Sequence, residues 1–151
     1  MRVARMSAVI AVALVIVVGT AAHARVGVGV FAGEPSGFSA KWWLDESTAV
    51  DAVTGWSLDE GEFYAHADYL WHRIIEDEQL GGSVPLYYGV GCRILAQEDG
   101  DSRFGVRIPI GLDYLLDDGR FDVFIEVAPI FDMVPETEFD LSAGIGARFY
   151  F

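Results

Sequence analysis

A two-residue period of apolar and polar positions runs through most of this chain, and it is longest at the end. From Phe139 to Phe151 every odd position is apolar: Phe139, Leu141, Ala143, Ile145, Ala147, Phe149 and Phe151. The even positions are Asp140, Ser142, Gly144, Gly146, Arg148 and Tyr150. Successive side chains on a strand point to opposite faces, so this segment has one apolar and one polar face. The same alternation recurs between turn-like clusters and predicts eight strands. They are placed at about Val26 to Gly33, Gly37 to Leu44, Thr48 to Leu58, Phe63 to His72, Val84 to Leu95, Arg103 to Leu115, Arg120 to Phe131 and Phe139 to Phe151. The third could begin as a helical turn at Ala49-Val50-Asp51-Ala52-Val53. The expected turns are Glu34-Pro35-Ser36, Asp45-Glu46-Ser47, Asp59-Glu60-Gly61, the acidic loop Gln97 to Ser102, the hairpin signal Asp117-Asp118-Gly119 and Pro135. Ile74 to Ser83 reads as the longest connection.

Strands of about 9–11 residues with strict alternation, even in number, are the pattern of a transmembrane β-barrel, apolar to lipid and polar to the lumen. Closure removes the unpaired strand edges that hydrocarbon does not tolerate. The expected fold is therefore all-β: an eight-stranded antiparallel up-and-down transmembrane β-barrel. Pro109 and Pro129 fall inside strands six and seven, where each removes a ladder donor, and a bulge at each is the expected repair.

The first residues have a different character. Arg2 and Arg5 precede an apolar run from Ala8 to Val18, and Ala22-His23-Ala24 fits a small-x-small cleavage site. That predicts a cleavable signal peptide over 1–24 and a barrel domain over 25–151. No run of about 18 apolar residues follows, which excludes helical spanning of the mature part. The mature part keeps eight basic and 23 acidic residues, a net charge of −15. Such a balance argues against nucleic-acid binding, where phosphate neutralisation needs a basic surface. A lone Cys92 cannot form an internal disulfide, and its parity puts it on the apolar face.

The inward parity collects Lys41, Arg93, Arg107 and Arg148 against Asp51, Asp68, Asp113, Asp122, Glu126 and Asp140. An eight-stranded barrel is wide enough only for side chains to fill it, and buried charges must pair. These residues are expected to form a salt-bridged plug, with Lys41, Asp68, Arg93, Arg107, Glu126 and Arg148 at its centre. Inward Gly27, Gly29, Gly89, Gly91, Gly105, Gly111, Gly144 and Gly146 leave room for it and for the rings of Phe31 and Trp43. The outward rings Trp42, Trp56, Trp71, Tyr88, Tyr114, Phe149 and Phe151 are candidates for interfacial aromatic girdles.

Candidate chemistry is sparse. His66 and His72 are six apart on one strand, about 20 Å, too far to share a metal. His66 and Asp68 face the same way and could make an acid–base pair, but no nucleophile lies beside them and lumenal hydrogen bonding is the simpler use. No zinc spacing, phosphate loop or nucleophile elbow is present. No catalytic residue, metal or cofactor is expected.

The segments Gly37-Phe38-Ser39-Ala40-Lys41-Trp42-Trp43, Asp68-Tyr69-Leu70-Trp71, Tyr87-Tyr88-Gly89-Val90-Gly91, Gly105-Val106-Arg107-Ile108-Pro109-Ile110-Gly111, Phe124-Ile125-Glu126-Val127-Ala128-Pro129 and Gly144-Ile145-Gly146-Ala147-Arg148-Phe149-Tyr150-Phe151 together resemble a family of small, functionally uncharacterised bacterial outer-membrane barrels, broadly OmpA/OmpX-like. The resemblance implies an outer-membrane location and supplies no catalytic residues. The expected function is a small integral outer-membrane barrel with a structural or surface-interaction role. Its expected partners are outer-membrane lipid, the barrel-assembly machinery through the strand ending at Phe151, and a surface ligand of unknown kind. Two alternatives are a soluble periplasmic lipocalin-like barrel with an apolar ligand inside, and a lipid-modifying barrel enzyme using His66 and Asp68.

Overall fold

The computed structural model describes residues 25–33, 36–57, 61–77, 82–97, 100, 102–116 and 120–151. The expected signal segment 1–24 and the hairpin residues 117–119 lie outside the described residues, as do parts of the turns near 34, 59 and 98. Among the described residues there are nine strands: β1 (Arg25–Gly33), β2 (Gly37–Trp43), β3 (Thr48–Ser57), β4 (Glu62–Asp77), β5 (Gly82–Gln97), β6 (Arg103–Arg107), β7 (Ile110–Leu116), β8 (Phe121–Val134) and β9 (Glu138–Tyr150). All pairings are antiparallel; β1 to β5 pair in chain order, β8 pairs with β9, and β1 also pairs with β9, from Gly27 opposite Tyr150 to Gly33 opposite Gly144. The sheet thus closes into a ring.

The nine strands occupy eight places. β6 and β7 both lie between β5 and β8. They are one line of chain interrupted at Ile108-Pro109. Bulges were expected at both prolines, but the register runs unchanged past them. Arg107 faces Ile130 and Ile110 faces Val127, three residues on and three back. Gly89 N–H donates to Pro109 C=O and Ile108 N–H to Pro129 C=O, each 3.0 Å. Neither proline has an N–H to return, so each pair keeps one bond of two. The register shift in this region lies instead between Phe104 and Gly105.

The third strand is extended throughout, with no helical turn at its start. The span Ile74 to Ser83 is not a long connection either. Ile74 pairs with Pro85, Ile75 with Val84, Glu76 with Ser83 and Asp77 with Gly82. The charges at 76–77 suggested a loop, yet the ladder continues through them. This hairpin runs past the end of β3, whose first residue, Thr48, faces Trp71. β8 likewise continues to Val134.

Parity divides the ring. Along β8, Phe121, Val123, Ile125 and Val127 are exposed, while Asp122, Phe124, Glu126 and Ala128 are buried. The inward apolar residues are few, and Phe31, Val53, Leu70, Tyr87 and Phe124 meet in one cluster. Phe31 and Phe124 stack at 5.9 Å. The outward aromatics gather near the strand ends. Toward the end bearing Arg25 and Phe151 lie Tyr69–Trp71 (4.9 Å), Trp71–Tyr88 (6.0 Å), Phe121–Phe149 (5.0 Å) and Phe149–Phe151 (5.4 Å). Toward the other lie Phe38–Trp56 (5.9 Å) and Phe131–Phe139 (5.3 Å).

Candidate functional site

The polar side chains that alternation turns inward form bonded groups at three levels. Nearest the Phe151 end, Lys41 Nζ lies 2.5 Å from Asp113 Oδ2 and 2.8 Å from His72 Nε2. It also sits 4.4 Å above the Trp43 ring. Beside it, Arg148 Nε donates to Asp122 Oδ1 at 3.1 Å and the Tyr150 hydroxyl to Asp122 Oδ2 at 2.5 Å. The Arg148 guanidinium stacks on Phe124, with Cζ 3.9 Å from the ring centroid. Its Nη1 and Nη2 lie 3.8 Å from Asp51 and Asp113.

Arg107 holds the middle level and is 0% exposed. Its Nη2 donates to Glu126 Oε1, and its Nε lies 3.0 Å from Asp68 Oδ1. Its Nη1 lies 3.2 Å from the Tyr64 hydroxyl and 2.6 Å from His66 Nδ1. Tyr87 O–H donates to the second Glu126 oxygen at 2.8 Å. At the far level, Arg93 grips Asp132 with a two-pronged contact, Nη2–Oδ2 2.5 Å and Nε–Oδ1 3.0 Å, and places Nη1 3.1 Å from Asp140.

The structure turns Lys41, Asp68, Arg93, Arg107, Glu126 and Arg148 into the ring's interior, each paired with an opposite charge. One assignment needs correction, and one inner residue was absent from the expected set. Asp140 was expected inside, but its side chain is 52% exposed at the rim, because β9 there runs beyond the enclosed part of the ring. Asp132 holds the inner position instead. It was missed because the expected strand stopped at Phe131, although its parity with Asp122 and Glu126 was visible. Trp42 is half-buried and Trp43 only partly enclosed. Trp56, Trp71, Tyr88, Tyr114, Phe149 and Phe151 are outward and exposed.

Among the described residues the buried network holds four cationic side chains (Lys41, Arg93, Arg107, Arg148) and six carboxylates (Asp51, Asp68, Asp113, Asp122, Glu126, Asp132). Strand pairing puts Asp51 directly opposite Asp68, with His66 on the same face two residues along. One ligand-type atom from each of the three falls within 4.8 Å of the other two. His66 Nε2 is 3.6 Å from Asp68 Oδ2. Two recesses of about 320 and 390 Å³ open at the rims, the first lined by Val30, Phe38 and Trp56 and the second by Arg25, Trp43 and Leu115. Neither is lined by a carboxylate or arginine of the network.

No family model matches the chain. No curated protein matches it either. Among solved structures, the crystal structure of the N-terminal β-barrel domain of Pseudomonas aeruginosa OprF is similar in fold. The TM-score is 0.55 at 12% identity, over 85% of this chain and 96% of that one. The chain therefore has a β-barrel fold like that of an outer-membrane barrel domain.

Proposed function

We propose that this chain is an integral outer-membrane β-barrel whose lumen is sealed by its own ion pairs, with a structural or surface-interaction role and no catalysis. One observation carries the reading: the ring is apolar outside and charged inside. Val30, Phe38, Ile110, Ile125, Leu141 and Ile145 are each at least half exposed, while Arg107, Asp113 and Asp122 have no exposed surface. A lipocalin-like barrel in water needs the reverse, with apolar side chains around its ligand. Surrounding hydrocarbon removes the cost of so large an apolar exterior.

The aromatic spacing supports the same reading. From the Phe121–Phe149 pair to the Phe131–Phe139 pair is ten residues along β8. That is about 34 Å along the strand and about 26 Å along the barrel axis at a tilt near 40°, close to the ~25 Å apolar band of such barrels. The rings then sit at the two headgroup levels. In this reading residues 1–24 are the export signal, and the strand ending at Phe151 is the segment offered to the barrel-assembly machinery. The lipid-modifying reading has less support. His66 is buried beneath Arg107 and Tyr64, which both contact its Nδ1.

Membrane fractionation combined with gel mobility tests the proposal. The chain should fractionate with outer membrane and require detergent for extraction. It should also run at different positions in unboiled and boiled samples. A detergent-free soluble protein whose band ignores boiling contradicts the proposal.

A further inference from the structure

We infer that Asp51, His66 and Asp68 form an internal site for one divalent transition cation of the zinc or manganese type. The inference goes beyond the structural reading above and does not depend on where the barrel resides. Three independent features converge on these residues.

First, the sheet itself builds the ligand set. Asp51 on β3 and Asp68 on β4 are cross-strand partners, and His66 shares their face at i−2 from Asp68. Their ligand-type atoms lie within 4.8 Å of one another. An ion about 2.1 Å from each ligand needs them roughly 3.4 Å apart, which small carboxylate rotations can supply. Two carboxylate oxygens and one imidazole nitrogen suit a borderline ion better than magnesium or calcium, which favour all-oxygen sets.

Second, the same atoms lack hydrogen bonds. Asp51 Oδ1, His66 Nε2 and both Asp68 oxygens are buried without a hydrogen-bond partner. His66 itself is 5% exposed and Asp68 2%. Arg107 Nε approaches Asp68 Oδ1 to 3.0 Å but is out of line for a hydrogen bond. Buried polar atoms ordinarily find a partner, so Asp51 Oδ1, His66 Nε2 and Asp68 Oδ2, unpartnered and close together, mark a ligand position.

Third, counted with every carboxylate ionised, the enclosed groups are unbalanced by two. Six buried carboxylates face four buried cations. One divalent ion would offset that excess, and uncompensated charge in such an interior is strongly unfavourable.

The surroundings accommodate the change in the histidine. With Arg107 Nη1 at 2.6 Å, His66 Nδ1 acts as acceptor and Nε2 carries the ring proton. Metal binding uses the Nε2 lone pair, so that proton moves to Nδ1. There the Tyr64 oxygen, 2.8 Å away, accepts it. Arg107 Nη1 turns to the same Tyr64 oxygen, already at 3.2 Å, while Nη2 keeps Glu126. The imidazole stays neutral throughout and gains the second hydrogen bond that metal-bound histidines ordinarily have.

The experiment is to fold the mature chain in detergent with Zn²⁺ or Co²⁺ present, remove free metal, and measure bound metal per chain. Cobalt adds a visible spectrum that reports a nitrogen–oxygen site. The expected result is one ion per chain, with affinity reduced at least about tenfold in His66→Gln and in Asp51→Asn. The surface variant Asp45→Asn should keep full binding. Zero stoichiometry in the native chain overturns the inference. Unchanged binding in folded His66→Gln or Asp51→Asn also overturns it, because the metal then sits on the acidic surface. If His66→Gln does not fold, the near-isosteric Asp51→Asn decides.

Discussion

Arg93 on β5 and Asp132 on β8 bind each other across the strand that separates them. Both face Gly105 of β6, one from each side. A Cβ at Gly105 would collide with the Asp132 carboxylate. The pattern repeats around the ring. Asp68 and Arg107 meet over Gly91, Tyr87 and Glu126 over Gly111, and Phe31 and Phe124 over Gly146. Each glycine is a gap through which next-nearest strands touch.

Gly105→Val and Gly91→Val should therefore destabilise the barrel by breaking the pair that each glycine spans. Leaving a buried charge without its partner costs about 3–5 kcal/mol, although Asp140 beside Arg93 reduces the loss at Gly105. The outward-facing Ala67→Val should change stability by less than about 0.5 kcal/mol. Urea midpoints of the refolded chain in detergent check the contrast.

Arg107 should be the most sensitive interior residue, since Asp68, Glu126, Tyr64 and His66 all contact it. Arg107→Met should cost at least about 3–5 kcal/mol by leaving two carboxylates uncompensated. Adding Glu126→Gln to that variant should recover part of the loss. A double-mutant cycle on folded stability reads the coupling directly.

Asp45 predicts a specific acid response. Its Oδ1 accepts N–H bonds from Ser47 (2.7 Å) and Thr48 (2.9 Å), and its Oδ2 accepts the Thr48 hydroxyl at 2.5 Å. These bonds, the Thr48 hydroxyl foremost, lower its pKa to about 2. A carboxyl lowered by folding adds stability above its unfolded pKa, near 4, and loses it as the pH falls through about 2. Carbon NMR of the Asp45 carboxyl should titrate near pH 2 in the folded chain. Asp45→Ala should remove that titration and loosen the β2–β3 turn.

Much of this architecture is legible in the sequence, because strand parity is a local property. Phe121, Asp122, Val123, Phe124, Ile125 and Glu126 assign their own faces with no reference to neighbouring strands. What is not legible is register. Nothing in the chain says that Asp51 faces Asp68, so the Asp51–His66–Asp68 group emerges only once β3 and β4 are paired. Charge at strand ends also misleads. Glu76 and Asp77 read as loop but continue a ladder, and Asp132 lies just past an end set three residues too early. Pro109 illustrates the opposite error: a missing donor interrupts the strand without shifting the register, since flanking pairs on both sides hold it.

The most direct measurement uses Cys92, the sole cysteine, which is exposed on the outer face of β5 between its partners Ala67 and Val106. A nitroxide attached there in the barrel reconstituted into lipid vesicles can be probed with oxygen, which partitions into hydrocarbon, and with a nickel chelate, which stays in water. The outward-apolar barrel predicts strong relaxation by oxygen and weak relaxation by nickel. Strong nickel relaxation with weak oxygen relaxation would place that surface in water and contradict it.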